Sequence, residues 1–317
     1  MSPMLTTPVA LILFNRPETT ARVFAEIARA RPAKLLLVAD GPRVDKPGEA
    51  EKCAAARAVV EQVDWDCEVL RNYSETNLGC KMRPVTGINW VFDNVEEAII
   101  LEDDCLPHLT FFRFCEELLE RYRDDERVMM IGGTNFLGEW KSDLQSYYFS
   151  YFGGSWGWAS WQRAWRYFDP GMTLWPEILE TRFLDNLFSN PRHSSYWKTI
   201  FHQVYDGTIT SAWDYQWLLA CWIQNGFRIL PEVNLISNIG FGDDASHTFG
   251  ESPLANMPTK AISFPLRHPP FMVRSVEADI LIQERFYTPP PSSIINRLKA
   301  HVSRVAHRLE RESARVV

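Results

Sequence analysis

The chain has 317 residues, 46% hydrophobic and 13% aromatic, enough apolar surface for the core of one large α/β domain. A net charge of −7 excludes the basic surface that nucleic-acid binding needs, but not an anionic small ligand bridged through a bound cation. Six cysteines without a C-x-x-C pair exclude a zinc cluster and favour reduced thiols in a cytoplasmic setting.

In chain order, residues 9–14 form a continuous apolar run ended by Asn15-Arg16-Pro17, which predicts a buried strand. Helical spacing of Val23, Phe24 and Ile27 follows, within 19–29. A second strand is expected at 34–39, stopped by Asp40-Gly41-Pro42, then an Ala/Glu-rich helix at 49–62. A third strand at 68–72, a helix at 85–92 and a fourth strand at 97–101 complete the first third. Strands alternating with helices imply right-handed βαβ units and a parallel sheet, with ligands beyond the carboxyl ends of the strands. Three of the four strands end in polar clusters, at Asn15-Arg16, Asp40-Gly41 and Glu102-Asp103-Asp104, which places these clusters on one sheet edge.

From about Gly132 the composition changes, and ten of the twelve tryptophans lie between Trp140 and Trp222. Gly153-Gly-Ser-Trp-Gly-Trp158 reads as a loop, 174–201 as broken helix, 213–225 as a helix and 227–230 as a strand. Pro289-Pro-Pro291 marks a boundary between a domain over 1–288 (halves at about 8–131 and 132–288) and a tail over 289–317. In the tail, apolar residues at helical spacing are interleaved with six Lys/Arg against two Glu over 294–317. That pattern suits an anionic membrane surface, a partner subunit, or a disordered tail. No run reaches the roughly 20 apolar residues of a membrane span, and the N-terminus lacks the flank of a signal peptide. The expected location is cytoplasmic, with peripheral contact at the inner face of a membrane through 294–317.

The sharpest signal is an apolar strand running into Glu102-Asp103-Asp104 and closed by Pro107. Carboxylates at a strand end suit a hard divalent cation that neutralises charge growing on a diphosphate leaving group. The alternative is an acidic turn or helix cap ahead of the segment near Leu109. Asp40 likewise fits plain Asp-Gly-Pro turn chemistry, and Asp214, near a helix start, fits the helix dipole.

Phe14-Asn15-Arg16-Pro17, Asp40-Gly41, Asn77-Leu78-Gly79, Glu102-Asp103-Asp104, the Gly153–Trp158 loop, Trp213-Asp214 and a late His247 together resemble bacterial GT-A glycosyltransferases. The likeness is distant, to the N-acetylglucosaminyltransferase I group, and covers residues 8 to about 250. It implies a GT-A (Rossmann-like) mixed sheet flanked by helices, followed here by the amphipathic C-terminal helix. It implies Mn²⁺ or Mg²⁺ on Asp104, with His247 closing the metal shell and Asp243 or Asp244 orienting it. Glu102 and Asp103 would face the ribose and sugar side, and Phe14, Asn15, Arg16, Asp40, Asn77 and Gly79 the nucleotide. Gly154, Trp156, Trp158 and Trp213 would line the sugar and acceptor, and Asp214 would be the base of an inverting transfer.

The expected function is therefore metal-dependent transfer of a hexose or N-acetylhexosamine from a UDP-type sugar to a hydroxyl of a surface glycan or lipid-linked acceptor. Two rivals stand beside it: a nucleotidyltransferase acting on sugar phosphates, and an inactive glycan-binding scaffold. The residues after the first strand lack the glycine-rich triphosphate loop of the former.

Overall fold

The computed structural model describes residues 4–141, 143–241 and 253–288. Asp243, Asp244, His247 and the tail over 289–317 lie outside the described residues.

The first half alternates as expected: β1 (Val9–Leu13), α1 (Pro17–Ala30), β2 (Lys34–Ala39), α2 (Glu49–Val60), β3 (Glu68–Tyr73), α3 (Gly79–Asn94) and β4 (Glu97–Glu102). β1 pairs in parallel with β2 and β4, and β2 with β3. Every residue of β1 is buried, so the strand is covered on both faces. Alternate side chains feed two cores. Val9, Leu11 and Leu13 pack with Leu35, Leu37, Val23 and Phe24 on one face, while Ala10, Ile12, Leu36 and Val38 pack with Val85 and Ile88 on the other.

The second half departs from the all-parallel expectation for the first four strands, and matches the mixed sheet. After β5 (Cys105–Pro107), α4 (Thr110–Arg121) and β6 (Val128–Gly132) come β7 (Tyr147–Ser150) and β8 (Trp158–Trp161). Then α5 (Gln162–Trp165), α6 (Trp175–Glu180), α7 (Phe183–Leu187), α8 (Pro191–Tyr205) and α9 (Asp214–Ile223) precede β9 (Phe227–Pro231), β10 (Ile236–Asn238) and α10 (Val276–Ile282). The described residues form an eight-stranded sheet in the order β3-β2-β1-β4-β8-β6-β9-β7, and β5 pairs with β10 in a separate antiparallel ribbon. β8 runs antiparallel to both neighbours, β4 and β6. A third, aromatic core fills the space beside α8 and α9, with Phe152, Trp175, Trp197, Phe201 and Trp222 buried. Burial of such large side chains contributes roughly 1.5–3 kcal/mol each. Among the described residues no helix is long and apolar enough to cross a membrane.

α3 starts six residues earlier than its apolar spacing suggested. The cause is tertiary: the Asp40 carboxylate, at the end of β2, accepts the backbone N–H groups of Leu78 at 2.9 Å and Gly79 at 3.0 Å. Two otherwise unpaired donors of the first turn are thereby satisfied from a neighbouring strand.

Candidate functional site

β4 delivers Glu102 to the carboxyl edge of the sheet, and the chain turns through Asp103 and Asp104 into β5. The Phe14 N–H, just past β1, donates to Asp103 Oδ2 at 2.8 Å and ties the acidic turn to the neighbouring strand end. Arg16 Nη1 donates to Asp104 Oδ2 at 3.0 Å, with both side chains about one-fifth exposed. From the other side, Ile239 N–H donates to the Asp104 carbonyl at 2.8 Å. A Cβ at Gly240 would lie 2.1 Å from Asp104 Oδ2 and 2.7 Å from Arg16 Nη1, so only glycine leaves room for the pair. Gly240→Ala is expected to displace the Asp104 carboxylate while lowering stability by about 1 kcal/mol or less, the worth of a part-exposed ion pair. A thermal melt close to wild type checks this; a collapse of the melt would show that the glycine supports the fold instead.

The electrostatics of this turn are dominated by acid. Glu102 is held well above the usual carboxylate range by burial first, then by repulsion from Asp104, Asp103 and Asp214, with Arg16 opposing. Burial and then Asp104 push Asp103 up to about 7, against the Phe14 N–H and Arg16. Asp214, the first residue of α9, is thus placed close enough for its charge to be felt at Glu102. Residues 112 positions apart in the chain thus bear on the same carboxyl group. Trp213 fixes that placement, since its ring is buried against Trp158 and Trp165, each 6.1 Å away.

The second and third strand ends form the adjoining wall. Asp40 is 4% exposed and accepts four hydrogen bonds: from the N–H groups of Gly41, Leu78 and Gly79 and from Asn77 Nδ2. A carboxylate has about four acceptor positions, so Asp40 holds the Asn77-Leu78-Gly79 turn against the end of β2 rather than presenting an open oxygen. Asn77 Nδ2 also donates to the Gly41 carbonyl at 2.9 Å. Asn15 Nδ2 donates to Glu49 Oε1 at 3.0 Å, and the Arg43 N–H donates to Glu49 Oε2 at 2.7 Å. The Arg43 hydrogen bonds hold Glu49 below the usual range, and the Arg43 guanidinium lies 5.6 Å from the Phe14 ring centroid. Arg43 and Glu49 escaped the sequence reading, although Arg43 follows the strand-ending Asp-Gly-Pro by one residue.

The glycine loop reaches the same edge. The Gly133 N–H donates to the Gly157 carbonyl at 2.8 Å, and Thr134 Oγ1 donates to the Trp156 carbonyl at 2.9 Å. Gly157 has φ 59°, and a Cβ there would meet Ile236 at 2.4 Å, so the loop lies tight against β10. At Gly154 a Cβ would meet Phe136 at 2.6 Å. The buried Arg228 donates through Nη1 to the Gly153 carbonyl at 2.6 Å and anchors the start of the loop. Trp156 is half-buried, edge-to-face with Phe136 and Phe241.

Trp158 and Trp213 correct the sequence expectation. Trp158 is 1% exposed, on β8, with Trp165, Trp213 and Trp217 at 6.0–6.1 Å. Trp213 is 6% exposed in the same core. Neither offers a face to a ligand, because β8 begins at Trp158 and turns it into the sheet.

Among the described residues no group of three or more His, Cys, Asp or Glu side chains is arranged to hold a metal ion. His247 lies outside them. The carboxylates of the acidic turn are of the kind that holds Mg²⁺ together with ligand phosphates, although Asp104 Oδ2 is paired with Arg16 at 3.0 Å. The donor set is all oxygen, and Arg16 is the cation that opposes the carboxylates at Glu102. No family model matches this chain, and no curated protein matches it closely enough to count as a relative.

Proposed function

We propose that the chain is a metal-dependent glycosyltransferase with a GT-A architecture, moving a hexose or N-acetylhexosamine from a UDP-type sugar to an acceptor hydroxyl with inversion. The observation that carries this reading is the acidic turn at the end of β4, tied to the end of β1 by the Phe14 N–H on Asp103 and paired with Arg16 at Asp104, with Asp214 at the start of α9. In this reading a base at Asp214 and a diphosphate held at the acidic turn would flank the anomeric carbon. The parallel order β3-β2-β1-β4 and the β5–β10 ribbon beside the acidic turn support the same reading.

In this reading Asp104, with Arg16 beside it, faces the donor diphosphate, and Asp103 is held by Phe14 to keep the turn in register with β1. Mn²⁺ or Mg²⁺ on Asp104 would supply Lewis-acid stabilisation of the leaving diphosphate. Asp214 accepts the proton from the acceptor hydroxyl as its oxygen attacks the anomeric carbon. Asp40, Asn77 and Gly79 shape the nucleoside side as a hydrogen-bonded wall. The glycine loop, anchored by Arg228, sets how closely the donor sugar approaches.

Calorimetry of UDP binding, with and without Mn²⁺, tests the reading. Asp104→Ala should weaken Mn²⁺-dependent UDP binding by about 10–100-fold, the loss expected at a tuned metal site. Failure of UDP, GDP and CDP to bind under any metal condition would end the glycosyltransferase proposal and favour a scaffold. Binding that persists in chelator and in Asp104→Ala would keep the diphosphate and remove the metal.

A further inference from the structure

Beside Asp214 the fold collects aromatic side chains from four segments distant in sequence. The last contributor is a π-helical turn, Gln283–Tyr287, which continues α10. π-turns cost regular hydrogen bonding and recur at functional sites. This one is held at both ends. Trp197 Nε1 donates to Gln283 Oε1 at 2.7 Å, and Gln283 Nε2 donates to Thr288 Oγ1 at 2.6 Å. Upstream, Asp279 accepts hydrogen bonds from Ser150 Oγ and from the Tyr151 N–H, which staples α10 to the end of β7.

The turn therefore places two rings with little freedom. Phe286 lies 5.6 Å from Phe136, the ring on which Trp156 packs at 5.9 Å. Tyr287 stacks on Phe152 at 5.6 Å and lies 5.0 Å from Trp197. Trp197 also contacts, at 6.3 Å, the ring of Tyr215, the neighbour of Asp214. The supporting rings Phe136, Phe152 and Trp197 are buried, whereas Trp156, Tyr215, Phe286 and Tyr287 are half-buried. The result is a backed layer of ring faces. Burial, and after it the charge of Asp214, holds both Tyr215 and Tyr287 above the usual phenol range.

Scattered aromatics need no explanation, but half-buried rings held in place through the buried Phe136 and Trp197, with one of them next in sequence to a carboxylate, form a set fit for binding. Flat rings match the apolar C–H face of a pyranose, and tyrosine hydroxyls give or take hydrogen bonds at its rim. We propose that Trp156, Tyr215, Phe286 and Tyr287 form the acceptor subsite and that its occupant is a saccharide ring whose hydroxyl is directed at Asp214. This rests on the transferase reading for its name, and on the ring geometry for its substance.

Saturation-transfer NMR on the full chain, with methyl and p-nitrophenyl glycosides of glucose, galactose, mannose and N-acetylglucosamine, tests it without nucleotide or metal. At least one glycoside should bind, and Phe286→Ala and Trp156→Ala should each weaken it at least tenfold. Phe286→Leu serves if the alanine variant does not fold, since it keeps volume and removes the ring. Tyr287→Phe, which keeps the ring, should weaken it about threefold. Leu281→Ala, on an exposed position of α10, should leave binding unchanged. Binding of none of the glycosides, or wild-type affinity in the Phe286 and Trp156 variants, would overturn the subsite. Glycoside binding by a protein that ignores UDP would overturn the transferase reading and leave the saccharide site in place.

Discussion

Asp214→Asn is expected to lower sugar transfer by about 10²–10⁴-fold, the range for loss of a positioned general base, while UDP affinity stays within about twofold. Asparagine keeps the size of aspartate and a helix-starting side chain, but it cannot take a proton from a hydroxyl. Trp213 still locks the start of α9 into the core, so the substituted amide occupies the same place. If Asp214 served only the helix dipole, the change would cost about 0.3–1 kcal/mol of stability and leave turnover alone. Donor consumption with and without a bound glycoside, set beside a thermal melt, separates the two. Wild-type transfer in Asp214→Asn would remove the base and require another carboxylate in its place.

Trp158→Ala is expected to destabilise the protein by about 3–5 kcal/mol, the cost of emptying a large buried aromatic site. Trp156→Ala, two residues earlier, should cost about 1 kcal/mol or less, because its ring is half-exposed. Trp158 fills the space between Trp165, Trp213 and Trp217, and its deletion leaves a cavity that those rigid indoles cannot close. Urea midpoints for the two variants check the contrast. Equal midpoints would mean that Trp158 is not the packing centre its burial indicates.

Most of the first half was legible because three of its four strands, β1, β2 and β4, are contiguous apolar runs that end in polar clusters. The acidic turn could be found the same way, since Ile99-Ile-Leu101 leads straight into it. In the second half the strand expected at 227–230 is β9, whereas β7 and β8 stayed hidden. β7 and β8 are only four residues each, and β8 extends out of a glycine loop whose local sequence reads as irregular. Its pairing with β4 and β6 makes it a strand, and pairing is not written in the run itself. The same cause misplaced Trp158. Of two tryptophans in one loop motif, the next strand's ladder decides which is swallowed by the core. Asp40 looked like a ligand residue from its position at a strand end, and only the meeting of β2 with the turn before α3 showed its oxygens occupied. Phe286 and Tyr287 carried no motif at all. Their placement follows from α10 docking on β7, a contact between residues 129 positions apart.

The reversed strand β8 has a mechanical consequence. It joins β4 to β6, so one unbroken ladder runs from β3 to β7 across both halves. Hinged closure concentrates its φ/ψ change in a few linking residues, and a sheet zipped edge to edge supplies none between the halves. Any shape change on ligand entry must fall on pieces outside the ladder. Under the proposed function, new preferences for donor or acceptor would be grafted by exchanging segments outside a rigid plate, with the strands beneath left as they are.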